Sequence, residues 1–202
     1  MKSVLISTRP KWCEKICHEI GKEEAGKPIY EKRIEVRKTA PKEVPFKAYI
    51  YVTKGKPYLY RVDDDNNFEL TNTLRPKTDE YVKDYNAQNG KIIGEFICRG
   101  IMQPFDSLRL MAKESCLTEE DLVTYSNGKP LYGWRIADLK IYDKPRELSE
   151  FYTIDESGSD CCVACVYHET PLDEMPCRTC TSERRYLYRP PQSWQYVEEL
   201  GE

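Results

Sequence analysis

Long apolar runs are missing from this sequence. The opening Val4-Leu5-Ile6 run is three residues, too short for the core of an export signal, and no later stretch approaches membrane-spanning length. The expectation is a cytoplasmic protein without a membrane partner. Strong net charge is missing as well. Thirty-one Lys and Arg against 34 Asp and Glu give −3 at pH 7, which excludes an overall basic footprint, so any nucleic-acid contact has to come from a local patch. There is no GxGxxG, no P-loop and no GxSxG, which removes the dinucleotide-binding, P-loop and α/β-hydrolase classes as far as motifs can. No internal repeat and no low-complexity segment occurs.

What is present describes a folded chain. Its 202 residues are 40% hydrophobic, with 15 Tyr and 3 Trp, enough for one sizeable core and a small appendage. Ser3 to Ser7 reads as an opening strand, and Thr8-Arg9-Pro10 as a capping residue ahead of a proline. Trp12, Cys13, Ile16, Cys17 and Ile20 then recur at helical spacing up to Gly21, which places Cys13 and Cys17 in the core. Gly21 to Tyr30 is a polar excursion. Phe46 to Thr53, Gly90 to Cys98, Trp134 to Tyr142 and Trp194 to Val197 read as strands, and Glu147 to Tyr152 as a short closing element. Thr118 followed by Glu119, Glu120 and Asp121 opens a helix. Asp63-Asp64-Asp65-Asn66-Asn67 lacks the glycine and terminal glutamate of a calcium loop and reads as a solvated tip. Strands of mixed spacing with few helices predict an α+β chain on a curved or barrel-like sheet.

The most informative stretch runs from Lys32 to Lys38. Ile34 and Val36 alternate with charges, so period two puts them with Lys32 and Lys38 on one face and Arg33, Glu35 and Arg37 on the other. Facing a recess, Glu35 would accept hydrogen bonds while the guanidiniums hold phosphate or carboxylate; facing water, the triplet is a weak ion-pair ladder. Between Lys27 and Lys47 seven Lys or Arg face three acids, making the surrounding segment locally positive. Glu95, among apolar neighbours, points either to a polar cavity or to solvent.

Nine cysteines without an export signal argue for thiols or metal ligands rather than a disulfide framework. Cys162 and Cys165, then Cys177 and Cys180, form two CxxC knuckles that can close a tetrahedral, structural zinc site. Cys161 or His168 can replace one of the four, and plain thiols or disulfides are the other reading. Beyond them Arg184, Arg185, Tyr186, Tyr188 and Arg189 interleave cations with rings, which suits either RNA contact or a strand with a core face.

With its opening strand, the Arg9-Pro10 turn, the Trp12 helix and Lys32-x-x-Glu35-x-Arg37 on a strand, the sequence resembles the ASCH domain, a PUA-like fold. The segments from Ile141 to Phe151 and from Arg189 to Trp194 are similar to a phage and prophage branch of that family from gut Firmicutes. The resemblance implies a small β-barrel with flanking short helices and a cleft for RNA or a modified nucleotide. It divides the chain into an ASCH/PUA-like domain (1–153), a Cys-rich zinc-binding insertion (154–182) and a C-terminal strand returning to the barrel (183–202). Carried over by position, Lys32, Glu35 and Arg37 are the motif residues. Arg9, Arg37 and Lys38 would meet phosphate, Trp12 or an aromatic of the last strand a base, and Glu35 a base edge. The insertion from Gly21 to Glu31 replaces the family's short turn. A hydrolytic branch deacylates modified cytidine with a Lys, a Thr and a Glu. Here Glu35 stands at the Thr position, so an enzyme, amidohydrolase or ribonuclease, would have to work through Lys32 and Glu35. A protein partner, as for a phage protein that blocks a host factor, is a third expectation.

Overall fold

The computed structural model describes residues 1–54, 59–62, 68–71, 88–103, 107–154, 187 and 190–199, with 59–62 and 68–71 described as backbone. The chain is mixed α+β, and its described residues form a seven-stranded sheet with three α-helices. The strand order is β10-β11-β1-β5-β8-β9-β4, with β1 Ser3–Thr8, β4 Ile34–Arg37, β5 Phe46–Val52, β8 Ile92–Met102, β9 Tyr132–Arg146, β10 Phe151–Thr153 and β11 Trp194–Glu199. β1 and β5 pair in parallel at the centre and the other ladders are antiparallel. Two hairpins stand apart, β2 Glu19–Lys22 with β3 Pro28–Tyr30, and β6 Leu59–Val62 with β7 Phe68–Thr71.

The central strands are built from β-branched and aromatic residues with few polar interruptions, as strands covered on both faces require. Val4, Ile6, Ala48, Ile50 and Phe96 face one core with Trp134, while Leu5, Tyr49, Tyr51 and Ile92 face a second with Phe151 and Val197. Phe46 and Trp194 each meet the Trp134 ring edge to face, with centroids 5.0 and 5.7 Å away. The β8–β9 ladder shifts register three times, and such bulges bend a sheet and increase its twist. At Gly94 a Cβ would lie 2.4 Å from the Lys140 carbonyl oxygen, so only glycine lets the two strands approach there.

Helix α1, Pro10–Cys17, has Pro10 in its first turn, and Cys13 and Ile16 bury against the first core. Two expectations change here. The cap is Arg9 without a side-chain hydrogen bond; Thr8, one residue earlier, ends β1, and its hydroxyl accepts from Arg37. The helix also stops at Cys17 rather than Gly21. Residues 19–22 are taken into the β2–β3 hairpin, leaving Ile20 52% exposed. The hairpin is the polar excursion of the sequence, and its strands hydrogen-bond to each other rather than to the main sheet.

Helices α2, Leu108–Ser115, and α3, Glu119–Ser126, pack Met111, Ala112 and Leu122 on Ile34 and Val36 in a third cluster. The Thr118–Asp121 capping box forms as the sequence indicates. Helix α2 has no counterpart in the expected elements, although Ser107 caps it by accepting from the Leu110 amide. Cys98 and Cys116 join Cys13 and Cys17 as thiols, and no disulfide links these four. The acidic tip at 63–67 and the Cys162, Cys165, Cys177 and Cys180 quartet, with Cys161 and His168, lie outside the described residues, as do Arg184 to Tyr186 and Tyr188 to Arg189. No helix among the described residues is long and apolar enough to cross a membrane.

Candidate functional site

The charged strand does not keep strict alternation. β4 begins at Ile34, and all four of its residues are buried. The residues before it are held by three other elements: the Lys32 amide donates to the Lys15 carbonyl of α1, the Arg33 amide to Glu114 of α2, and the Arg33 carbonyl accepts from Ile136 of β9. These bonds turn Arg33 outward and exposed, while Lys32 turns inward to 3% exposure. The expected Arg33–Glu35–Arg37 triplet is therefore replaced by Lys32–Glu35–Arg37.

Glu35 is 5% exposed and lies between the two cations, with Lys32 Nζ 2.7 Å from Oε2 and Arg37 Nη2 2.8 Å from Oε1. Arg37 Nη2 also donates to the Ser7 carbonyl at 2.9 Å and to Thr8 Oγ1 at 3.2 Å, which ties the strand to the end of β1. Its Nε has no acceptor among the described residues. Burial raises the proton affinity of Glu35, and Lys32 and Arg37 more than offset this, holding the carboxyl below the usual range. The group is a fixed carboxylate at neutral pH. Beside it, burial pushes the Cys13 thiol up, with the neighbouring Cys17 and Glu35 charges adding to the effect, so Cys13 stays a protonated core thiol.

Above the ion pairs lies a rim of rings and cations. Trp12 is half-buried, with Lys32 Nζ 5.1 Å and Lys11 Nζ 4.7 Å from its ring centroid. Lys38 Nζ lies 5.1 Å from the ring of Tyr125 on α3. Burial raises the Tyr125 phenol while Arg37 lowers it and Glu35 raises it, which puts the phenol within electrostatic reach of the buried pair. Arg9 is exposed at the start of α1. The structure thus brings Lys32, Glu35, Arg37 and Trp12 together, and places Lys38 on the rim through Tyr125. Tyr125 and Lys11 were not singled out in the sequence. The Tyr125 helix was legible from its cap, but nothing local to it shows that α3 leans over β4.

A half-open groove of about 670 Å³ adjoins this cluster at Lys32, between the β2–β3 hairpin and the bulged part of β8–β9. Elsewhere, Glu95 accepts from Tyr142 Oη at 2.6 Å with Lys47 Nζ at 3.5 Å, so it belongs to a side-chain network and not to open solvent. Among the described residues no group of three or more His, Cys, Asp or Glu is placed to hold a metal.

Solved structures of an ASCH protein from Zymomonas mobilis are similar to this chain. The unaltered protein aligns over 98% of this chain and 88% of its own, at 16% identity and a TM-score of 0.48. Two of its single-substitution variants align over 98% of this chain and 91% and 89% of theirs, at 16% and 15% identity and the same TM-score. No family model and no curated protein matches the sequence.

Proposed function

We propose that the chain is an RNA- or nucleotide-binding module of ASCH, PUA-like type. The observation that carries this is Trp12, a half-exposed ring flanked by the Lys11 and Lys32 ammonium groups, with Lys32 itself fixed by a buried, ionised Glu35. A ring with cations beside it suits a nucleotide, because the base stacks while the phosphate meets charge. Arg9, Lys38 and the Arg37 side of the cluster supply that charge, and Tyr125 offers a second ring. With both of its oxygens already engaged, Glu35 serves to hold Lys32 and Arg37 in place rather than to read a base edge. The parallel β1–β5 pair and the bulges of β8–β9 are what supports assigning the sheet to a PUA-like barrel. Fluorescence anisotropy with a labelled oligouridylate tests the function. Salt-dependent binding that weakens about tenfold in Trp12→Ala is expected, and an oligonucleotide that the unaltered protein does not retain at low salt overturns it.

The second reading, a hydrolase on modified nucleosides or RNA, draws on the 2.7 Å contact of Lys32 Nζ with Glu35. Its difficulty is chemical: a carboxylate held below the ordinary range is a poor general base near neutrality. Turnover of an acylated cytidine that disappears in Lys32→Ala, with the fold intact, would establish it.

The zinc site at Cys162, Cys165, Cys177 and Cys180, the division at 154–182 and 183–202, phage or prophage encoding and a cytoplasmic location belong to the same proposal and rest on sequence. One zinc per chain by elemental analysis, lost together in Cys162→Ser and Cys177→Ser, is the expected result for the metal. A protein partner would be sought by capture from a bacterial lysate.

A further inference from the structure

The groove of about 670 Å³ next to Lys32 is large enough for a ligand, and the proposed rim does not use it. One wall is the β2–β3 hairpin. It is anchored at its base, where the Glu31 side chain bonds Lys15 and His18 and its amide donates to the His18 carbonyl at 2.9 Å. The other wall is the bulged β8–β9 ladder around Asp138, whose φ of 49° marks the turn of the bulge.

Five cationic residues line the groove against three acidic ones. Two of the guanidiniums are pre-oriented: Arg99 places Nε and Nη2 3.2 and 2.5 Å from Asp138 Oδ2, and Arg135 Nη1 is 3.6 Å from Glu114 Oε2. Each keeps further N–H donors for an incoming group. Arg33 and Lys27 have no ion pair among the described residues, and both face the groove. Tyr30, Ile29 and Ile136 lie between the charges, so apolar and aromatic surface alternates with cations. That alternation fits bases joined by phosphates better than it fits a run of carboxylates.

We infer that the groove binds the phosphodiester backbone of single-stranded RNA leading away from the Trp12 rim, with Arg33 and Lys27 as its principal phosphate contacts. The inference rests on the nucleotide-binding reading and extends it: Lys32 lies in both sites, so a strand whose base sits on Trp12 continues between the hairpin and β9.

The test compares uridine monophosphate with a short labelled oligouridylate, titrated into the unaltered chain, Arg33→Glu, Lys27→Glu and Trp12→Ala. Arg33 and Lys27 are exposed, and circular dichroism checks that both variants fold. The expected result is that Arg33→Glu weakens the oligonucleotide about tenfold and lowers the slope of log K against log salt by about 0.7. Lys27→Glu acts in the same direction, while monophosphate binding changes by less than about twofold because it stays on the rim. Trp12→Ala weakens both. If Arg33→Glu and Lys27→Glu leave the oligonucleotide unchanged while Trp12→Ala weakens it, the groove inference is overturned and the rim stands. If the unaltered chain binds neither probe, both fall. Polyglutamate competing as well as the oligonucleotide, and losing this ability in Arg33→Glu, would overturn the RNA assignment in favour of an acidic peptide.

Discussion

Glu35 and Glu199 are each held between a lysine and an arginine, yet the two sites differ in kind. Around Glu35 the partners are Lys32 and Arg37, at 2.7 and 2.8 Å, with every side chain 7% exposed or less. Around Glu199 they are Lys47 at 3.8 Å and Arg146 at 2.9 Å, and the Glu199 side chain is 37% exposed. Tyr49 donates to Glu199, and Arg146 reaches on to Glu150 at 2.8 Å. There water competes for each partner; at Glu35 it does not, so losing one member strands the others. The rings differ too. Arg146 packs over Phe151, which is fully buried, whereas Lys32 packs beside a Trp12 that a ligand can reach. Similar charges thus give a structural clamp at one place and a candidate recognition site at the other.

The largest effect separating them is on stability. Glu35→Ala leaves Lys32 and Arg37 buried without their carboxylate and should lower the unfolding free energy by about 3–5 kcal/mol, against about 1 kcal/mol or less for Glu199→Ala. Urea denaturation measures both, and equal losses would erase the distinction.

Acid should sharpen the comparison. Glu35 and Glu199 both have proton affinities below the ordinary carboxylate value. Such groups stabilise the fold above the unfolded-state pKa of about 4.3, and that contribution is lost as pH falls through the lower folded value. The urea midpoint should therefore drop on acidification below about pH 4, with Glu35→Gln flattening that part of the curve more than Glu199→Gln.

A smaller difference concerns the support of Arg37. Thr8→Val removes the hydroxyl that accepts from Nη2 while the Ser7 carbonyl remains, and should lower stability by about 1 kcal/mol. Smaller still is Tyr142→Phe on the other side, which deletes the donor to Glu95 but leaves Lys47. A loss of about 0.5 kcal/mol is expected by the same denaturation measurement.

Several elements were legible because their signals are local. The apolar runs of β1 and β5, the Thr118 cap and the Cys13–Ile16 stripe all form where the pattern puts them. The end of α1 was not legible, since Ile20 fits helical spacing and only pairing with Tyr30 and Ile29 draws residues 19–21 into a hairpin. Helix α2 escaped because its buried face is short, Met111, Ala112 and Ser115, and its first turn exposes Leu108 and Leu110.

By itself the sequence determined that Lys32, Glu35 and Arg37 lie close along the chain, that a tryptophan-bearing helix precedes them, and that the strand carrying them has an apolar side. Tertiary structure alone decided that Lys32 rather than Arg33 completes the pair with Glu35, that Tyr125 overlooks it, and that Arg33 turns instead into a separate groove. The physical reason is that residues 32 and 33 form backbone hydrogen bonds to α1, α2 and β9. Bonds to three elements distant in sequence set side-chain direction there, where a two-residue period no longer applies.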